Sequence, residues 1–270
     1  MKKSDSDPEA AVTEVFAEYS QYYDLLYADK DYDAEASYVA RKLREQRPNI
    51  RRVIEFGSGT GRHGRLLAGL GLDVIGIERS PAMLSRSRNA GAGKGSVGVG
   101  SFTAVEGDIR ARVVRGPFDA AVSLFHVVSY QTGNDDVAAL FNNAARHIAS
   151  GGIFLFDVWY APAVLTLRPE TRIKRVANDQ MKITRIAEPR LLTHSNCVEV
   201  NYDVFVEESM TGRIRQFQEQ HLMRYFTTPE IELLAKDSGF HISEAEEWLT
   251  GKPPSTSTWG ICYVLQRNAS

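Results

Sequence analysis

The sequence predicts an α/β fold in which helices cover both faces of a mostly parallel β-sheet. Short apolar runs alternate with helical patterns from residue 52 to residue 158, and this alternation is typical of parallel strands joined by crossover helices. From about residue 163 to residue 226, polar and apolar residues alternate instead, as in antiparallel strands. The α/β alternation resumes at residue 227. We therefore expect an antiparallel β insertion between the fifth strand and the last helix.

These changes of pattern also predict the domain boundaries. Residues 1–12 are polar and charged, and we expect them to form a flexible N-terminus. The core domain is expected to comprise residues 13–162 and 227–270, and the insertion residues 163–226. The insertion is a candidate wall of a binding pocket and a candidate contact between two copies of the chain.

Two helices are predicted before the first strand. The first begins at Val12 and runs towards an aromatic cluster at residues 22–27. The second spans residues 32–46 and ends before Pro48. Basic side chains lie in the second half of this helix and just after it, and we interpret them as a solvent-exposed face. They are Arg41, Lys42, Arg44, Arg47, Arg51 and Arg52.

The core elements then alternate along the chain. Strands are predicted at residues 52–56, 73–78, 102–105, 118–125 and 153–158. Helices are predicted at 81–88 and 135–147 and in the stretch that ends at Gly69 or Gly71, and the glycine-rich segment 89–101 is expected to be a loop. After the insertion, a helix begins at Thr228-Pro229-Glu230 and ends at Gly239, and strands follow at 241–248 and 259–266.

Composition excludes several classes of function. The formal net charge of the 270 residues is −2, so the chain has no overall field that would hold nucleic acid or an anionic membrane. Two cysteines are too few for a disulfide framework, and no group of possible ligands has metal-binding spacing. No segment approaches the roughly 18 apolar residues of a membrane-spanning helix. We therefore expect a cytoplasmic protein without a metal.

The strongest functional signal is the turn Glu55-Phe56-Gly57-Ser58-Gly59-Thr60-Gly61, which follows the first predicted strand. Its glycines allow positive φ angles and a close approach of a ligand to the backbone, next to the N-terminus of the following helix. Glu78 follows the second strand and is suited to bind ribose hydroxyls, and Asp108 follows the third and is a candidate acceptor for an adenine amine. Because the carboxyl ends of parallel strands meet at one edge, these elements predict a nucleotide-cofactor site.

Two other interpretations of this turn are open. A glycine-rich turn can simply connect a strand tightly to a helix, although such a turn does not require Glu78 and Asp108 as well. Residues 59–64 also match the G-x-G-x-x-G pattern of nicotinamide dinucleotide sites, with Glu78 19 positions after Gly59. Glu55, however, would repel a pyrophosphate and would attract the positively charged amino acid part of S-adenosylmethionine. The charge argument favours S-adenosylmethionine, with an NAD(P)-dependent oxidoreductase as the alternative.

The pattern resembles the class I S-adenosylmethionine-dependent methyltransferases, whose motifs are E-x-G-x-G-x-G, an acidic residue after the second strand and G-D after the third. The resemblance covers residues from about 15 to 160 and again 225–266. It implies a Rossmann-like sheet of seven strands, the last antiparallel, and methyl transfer to a small molecule. It also implies which residues surround the cofactor. They are Glu55, Gly57, Gly59, Glu78, Arg79, Met83, Asp108, Ile109 and Phe125.

Acceptor chemistry is expected after the fourth strand. An amine acceptor needs only to arrive neutral, whereas an alcohol needs a general base. His126 is a candidate base because an unperturbed imidazole titrates near neutral pH, and a histidine that only packs in the cleft wall fits equally well. Tyr130 is a candidate hydrogen-bonding group for the acceptor. His63 and His147 fall on predicted helices and are interpreted as surface residues.

A second resemblance concerns the segment Tyr23-Asp24-Leu25-Leu26-Tyr27 and the following Asp31-Tyr32-Asp33-Ala34-Glu35. It is similar to the N-terminal lid of N-methyltransferases that act on nucleotide-linked deoxyaminosugars, as are the insertion and residues 220–226. The resemblance implies that Tyr23 and Tyr32 contact the cofactor and that Tyr27 contacts the acceptor. The insertion, as a candidate contact between two copies, makes a homodimer an expectation.

The identity of the acceptor stays open in the sequence. The sugar enzymes have a histidine about where Tyr130 stands, so methylation of nitrogen and of oxygen are both compatible with this chain, as is a natural product that is not a sugar. Trp159, Arg224 and Trp259 are candidate wall residues for a sugar or a diphosphate. A non-catalytic scaffold is a further alternative, which the joint presence of the glycines, Glu78 and Asp108 disfavours.

Overall fold

The computed structural model describes residues 20–90 and 100–269. Its helices, in chain order, are α1 (Ser20–Leu26), α2 (Tyr32–Gln46), α3 (Arg62–Gly69), α4 (Pro81–Asn89), α5 (Asn134–His147), α6 (Ala161–Leu167) and α7 (Thr228–Asp237), with a 3₁₀ helix at Val127–Tyr130. Its strands are β1 (Arg52–Phe56), β2 (Asp73–Glu78), β3 (Ser101–Glu106), β4 (Phe118–Ser123), β5 (Ile148–Tyr160), β6 (Arg172–Ala177), β7 (Met181–Leu192), β8 (Cys197–Glu208), β9 (Ile214–Phe226), β10 (Phe240–Glu247) and β11 (Gly260–Arg267). The expected flexible N-terminus, the start of the first predicted helix and most of the predicted loop 89–101 lie outside the described residues.

The core is a seven-stranded sheet in the order β3-β2-β1-β4-β5-β11-β10. Strands β1 to β5 pair in parallel, and β11 runs antiparallel to both β5 and β10. The predicted fold class is thereby confirmed, including the single antiparallel strand. The carboxyl ends of β1, β2, β3 and β4 lie at one edge of this sheet, where the cofactor residues are predicted.

The insertion is a four-stranded antiparallel sheet in the order β6-β7-β8-β9. It is hydrogen-bonded to the core through the end of β9, where Tyr225 and Phe226 pair in parallel with Trp159 and Tyr160 of β5. Its place between the fifth strand and the last helix is as predicted. The strand pattern expected from about residue 163 is wrong at its beginning, because residues 161–167 form helix α6 with Pro162 in its first turn.

Apolar side chains fill a layer on each face of the core sheet. One layer contains Phe56, Phe141 and Phe154, and the other contains Leu43 and Leu67, all of them fully buried. A third cluster joins the insertion to the N-terminal lid, since Tyr22 and Leu26 of α1 pack against Ile183, Val204 and Val206. Helix α1 is therefore held against one face of the insertion, which we call the inner face.

Three side chains that were expected on the surface are buried. Lys42 is 6 % exposed, because Glu244 and Glu246 of β10 each accept a hydrogen bond from its ammonium at 2.7 Å. His147 is buried, and both of its ring nitrogens have backbone partners. Its Nε2 accepts a hydrogen bond from the N–H of Val114, and its Nδ1 donates one to the carbonyl of Asn143. His63 is buried beside Glu35. These polar side chains of helices are thus buried because they bond to residues of other elements.

Within the described part of the chain, no helix is both long enough and apolar enough to cross a membrane.

Candidate active site

The turn after β1 has the conformation that its glycines predict. Gly57, Gly59 and Gly61 have φ angles of 74°, 55° and 74°. A Cβ atom on Gly57 would lie 2.5 Å from Val127 of the 3₁₀ helix, whereas no described atom lies within 4 Å of the position that a Cβ would take on Gly59. Gly57 therefore allows close packing inside the fold, and Gly59 presents open backbone to a ligand.

Glu78 at the end of β2 fixes this turn. Its Oε2 accepts a hydrogen bond from the N–H of Gly59, and its Oε1 accepts one from the N–H of Ser80, both at 2.7 Å. Burial raises the pKa of Glu78, although backbone hydrogen bonds from Ser80, Gly59 and Arg79 oppose the shift. Each carboxylate oxygen has a second acceptor position, so Glu78 is able to hold the turn and bind a pair of ribose hydroxyls together.

Glu55 is a buried carboxyl in the same place. It is 2 % exposed, and its Oε2 has no hydrogen-bond partner among the described residues. Burial, together with the charge of Glu78, raises its pKa to about 8. Gly64 leaves room for it, since a Cβ there would lie 2.6 Å from Oε2. A buried carboxyl of this kind fits a cofactor whose amino acid part carries an ammonium group.

Asp108 lies after β3 in a cluster of charges. Its two oxygens accept hydrogen bonds from the guanidinium of Arg110, and Arg79 lies 3.5 Å away. Burial would raise the pKa of Asp108, but the hydrogen bonds from Arg110 outweigh this and lower it. Arg79 and Asp108, both named as candidate cofactor residues, lie close together, and Arg110 is a neighbour that sequence reasoning missed.

Met83 and Ile109 form the apolar part of the predicted cofactor site. Met83 is 3 % exposed, and its N–H donates to Ser80 Oγ at the start of α4. Ile109 is 8 % exposed and packs with the core. Both side chains therefore lie just behind the strand ends that carry Glu78 and Asp108.

Aromatic rings from the lid meet the end of β4. Phe125 packs edge-on against Tyr27 and Tyr23, with ring centroids 5.1 and 6.4 Å apart. The ammonium of Lys30 lies 4.2 Å above the ring of Phe125. The fourth strand ends at Ser123, earlier than predicted, because Phe125 and His126 are both in the left-handed region, with φ angles of 64° and 61°.

His126 is held by Asp157 of β5. The carboxylate of Asp157 accepts the backbone N–H of His126 at 3.1 Å and lies 2.7 Å from its Nδ1. Asp157 is 1 % exposed. The sequence carried a signal that was missed, since Asp157 is a lone charge within the apolar run of the fifth predicted strand.

Tyr32 lies behind the glycine turn. It is 4 % exposed and packs against His63, with the guanidinium of Arg62 4.2 Å above its ring. Burial raises the pKa of Tyr32 to about 12. Glu35 lies 2.7 Å from His63 and also pairs with Lys30. Burial would raise the pKa of Glu35, but the hydrogen bonds from His63 and Lys30 lower it to about 2.

A second group of polar side chains lies between α1, the 3₁₀ helix and the inner face of the insertion. We call it the inner cluster. Its members are Tyr27, Tyr130, Arg185, Tyr202, Glu219 and His221. Arg185 donates to the hydroxyl of Tyr27 at 3.2 Å, and the Tyr130 hydroxyl lies 2.8 Å from Nδ1 of His221. Sequence reasoning singled out Tyr27 of the lid and Tyr130 of the 3₁₀ helix but gave no role to the other four members, Arg185, Tyr202, Glu219 and His221.

The three predicted wall residues have different surroundings. Trp159 and Trp259 pack on each other with ring centroids 5.7 Å apart, beside His126. Arg224 is 7 % exposed and bonds to Glu230 and to the carbonyl of Thr132, so its guanidinium connects elements of the fold. A groove of about 520 Å³ lies on the outer face of the insertion, and its lining contains none of the predicted site residues.

Known proteins resemble this chain in the segment that carries the glycine turn and beyond it. Residues 53–152 match the family model described as a methyltransferase domain. A dTDP-3-amino-3,4,6-trideoxy-alpha-D-glucopyranose N,N-dimethyltransferase from Streptomyces venezuelae is 26 % identical over 87 % of this chain and 94 % of its own length. A dTDP-4-amino-2,3,4,6-tetradeoxy-D-glucose N,N-dimethyltransferase from Saccharopolyspora spinosa is 27 % identical over 90 % of this chain and 94 % of its own.

A solved structure has the same fold over almost the whole chain. The sugar N-methyltransferase KedS8 from a Streptoalloteichus species superimposes with a TM-score of 0.78 at 22 % identity, over 99 % of this chain and 98 % of its own.

The fold, the glycine turn and Glu78 define a nucleotide-cofactor domain, and the family match makes it a methyltransferase domain. The chain is an S-adenosylmethionine-dependent methyltransferase. The nicotinamide-dependent and the non-catalytic interpretations of the glycine turn are thereby set aside.

Proposed function

We propose that this enzyme transfers methyl groups from S-adenosylmethionine to the amino group of a nucleotide-linked sugar. The observation that carries the proposal is the extent of the likeness. Relatives that are named as dimethyltransferases of dTDP-linked aminosugars align over 87–90 % of the chain, far beyond the matched domain at residues 53–152. The similarity therefore extends into the parts of the chain that surround the inner cluster.

The chain's own residues suit this cofactor. S-adenosylmethionine supplies a methyl group on a positively charged sulfur. Gly57 and Gly59 would carry it at the turn, Glu78 would bind the ribose, and Glu55 would face the ammonium of its amino acid part. Phe125 and Tyr23 would cover it from the lid, with Tyr32 behind the turn. Met83, Ile109, Asp108 and Arg79 would surround the base.

The acceptor is proposed to bind at the inner cluster. Tyrosine hydroxyls and a guanidinium are suited to the hydroxyls and phosphates of a nucleotide-linked sugar, and Tyr27, Tyr202 and Arg185 offer these groups in one place. The residues proposed to face the reacting nitrogen are Tyr27, Tyr130 and His126. Asp157 would orient His126, because its carboxylate accepts the backbone N–H of His126 and lies 2.7 Å from Nδ1.

The proposal is tested by incubating the purified enzyme with S-adenosylmethionine and a panel of acceptors. The panel contains dTDP-linked aminosugars, the same sugars with a hydroxyl in place of the amine, and non-sugar phenols and carboxylates. We expect mass spectrometry to show one or two added methyl groups on the aminosugars alone. Methylation of a phenol or carboxylate without any sugar nucleotide would contradict the proposal, and methylation of the hydroxysugars would assign oxygen as the acceptor.

We also propose that the enzyme acts as a homodimer in the cytoplasm. The outer face of the insertion supports a contact between two copies, because Ile173 and Ile214 are 53 % and 63 % exposed there. Sedimentation of the wild type and of a variant with both isoleucines changed to glutamate measures the assembly. A monomeric wild type would contradict it, and cell fractionation tests the location.

A further inference from the structure

Three side chains of the inner cluster form a continuous hydrogen-bonded chain. The hydroxyl of Tyr130 lies 2.8 Å from Nδ1 of His221, and Nε2 of His221 lies 3.2 Å from Oε2 of Glu219. His221 is 3 % exposed, and its ring also packs against Tyr202 at 4.8 Å. Tyr130 comes from the core domain, whereas His221 and Glu219 come from β9 of the insertion.

We propose that the hydrogen-bonded side chains Tyr130, His221 and Glu219 form a proton relay that deprotonates the acceptor ammonium, with His221 as the group that takes up the proton. The inference deepens the proposed function and rests on it. A lysine ammonium titrates at about pH 10.4, and the oxygens of a sugar lower this value for an aminosugar. The part of the acceptor that arrives protonated still has no lone pair for methyl transfer. The enzyme therefore needs a proton acceptor close to the nitrogen.

The transfer balances in two coupled moves. A proton passes from the ammonium to Oη of Tyr130 while the proton of Tyr130 passes to Nδ1 of His221. The amine is then neutral, Tyr130 is again a phenol, and His221 is an imidazolium opposite the carboxylate of Glu219. After the product leaves, His221 returns the proton to water through the same path.

The surroundings favour this direction of transfer. Burial raises the pKa of Tyr130, so the phenol stays protonated at rest and its O–H donates a hydrogen bond to Nδ1 of His221. With Nδ1 as the acceptor, the proton of neutral His221 lies on Nε2, where Glu219 accepts it. The titratable and charged groups that face His221 are Tyr130 from the 3₁₀ helix, Tyr202 from β8 and Glu219 from β9. Tyr27 of α1 and Arg185 of β7 complete the cluster, and Glu219 is its carboxylate.

A second histidine–carboxylate pair, His126 with Asp157, is arranged differently. Asp157 binds the backbone N–H of His126 as well as lying near its ring, so this pair fixes the left-handed turn at Phe125 and His126. In the inner cluster, by contrast, the histidine is joined to a hydroxyl on one side and to a carboxylate on the other. That arrangement conducts a proton.

The test compares His221→Asn with the wild type in single-turnover methylation of an aminosugar nucleotide across pH 6–9. Asparagine keeps an acceptor near Nδ1 for the Tyr130 hydroxyl but cannot take up a proton. We expect the rate at neutral pH to fall by about 10²-fold, with the acceptor KM close to that of the wild type. The variant's rate should rise about tenfold per pH unit, because only pre-formed neutral amine reacts, whereas the wild type levels off.

Glu219→Gln is the second variant. It keeps an acceptor for Nε2–H but removes the charge that stabilises the imidazolium, so the acid limb of the pH profile should move to lower pH. The matched control is His241→Asn, since His241 is an exposed histidine on β10 that bonds Asn268, and its profile should equal that of the wild type. If His221→Asn does not fold well enough to bind S-adenosylhomocysteine, the pH profile of Glu219→Gln tests the relay instead. An acid limb at the same pH as that of the wild type would then contradict the relay.

Two results would overturn the relay. One is a His221→Asn profile that runs parallel to that of the wild type, at an equal or a lower rate, since a residue that only supports the fold lowers the rate equally at every pH. The other is a ¹⁵N spectrum in which the proton of neutral His221 lies on Nδ1, or in which Tyr130→Phe leaves the His221 signals unchanged. The spectrum is recorded without an acceptor, so it tests the relay independently of the proposed function. Failure of the proposed function would appear separately, as a wild type that is inactive on every aminosugar nucleotide.

Discussion

At the scale of single residues, Glu78 connects the shape of the cofactor turn to the binding of the ribose. Its two oxygens hold the N–H groups of Gly59 and Ser80. We expect Glu78→Ala to weaken the binding of S-adenosylhomocysteine by about 1–3 kcal/mol, since these donors and the ribose hydroxyls lose their partner. Titration calorimetry measures the change. Glu106→Ala, at the neighbouring end of β3, is the control, and an equal loss in both variants would contradict the assignment.

Glu55 predicts a pH dependence of stability. Its pKa rises from 4.5 to about 8 on folding, through burial and the charge of Glu78. A carboxyl with a raised pKa contributes stability that is present below pH 4.5 and lost as the pH rises through about 8. The free energy of unfolding of Glu55→Gln, relative to that of the wild type, should therefore increase between pH 5 and pH 8. Urea unfolding measures it, and a difference independent of pH would rule out the shift.

Residue identities were predictable where a motif prescribes them and not where the fold assembles them. The glycine turn, Glu78 and Phe125 could be named as candidates from the sequence because each lies at the end of a recognisable strand. His221 and Glu219 were missed because they lie on a strand of alternating polar residues, where nothing in the sequence distinguishes the inner face from the outer one. Only the pairing of β8 with β9 turns His221 towards Tyr130.

At the scale of elements, the buried ammonium of Lys42 fastens α2 to β10. Breaking such a pair leaves Glu244 and Glu246 without their shared cation, which costs more than losing an exposed ion pair. We expect Lys42→Met to lower the free energy of unfolding by about 3 kcal/mol. Arg41→Met on the same helix is the control, since its pair with Glu45 is about half exposed, and it should cost less than about 1 kcal/mol. Similar losses in both variants would show that Lys42 is not buried as described.

The bounds of several elements were predictable, and the failures have local reasons. Helix α2 and strands β1 and β2 have the predicted ends. Pro48 and Gly57 follow the first two, and Ser80, which caps helix α4, follows β2. Helix α6 was missed although Pro162 stands in its first turn, since a single turn signal did not outweigh the strand pattern beyond it. Lys42 and His63 were assigned to the surface because helical periodicity does not reveal a partner on a distant strand.

At the scale of the whole molecule, the cofactor should stabilise the folded chain by mass action. S-adenosylhomocysteine at 100 times its Kd adds about 2.7 kcal/mol to the free energy of unfolding, which raises Tm by about 5 °C or more for a chain of this size. NAD and NADP should leave Tm unchanged. Thermal unfolding with each ligand measures these changes. A Tm that rises with NAD but not with S-adenosylhomocysteine would contradict the assignment of the cofactor.

The position of β11 has a consequence for how the protein is made. It follows every other described strand in the chain, yet it lies inside the core sheet, between β5 and β10. While the chain is being synthesised, the edge of β5 that β11 later covers stays open. Phe154 and Phe156 of β5 then lack the residues of β11 that they contact in the folded protein. An uncovered apolar strand edge invites pairing with other chains. The nascent enzyme is therefore most exposed to aggregation in the interval before β11 emerges from the ribosome and pairs with β5.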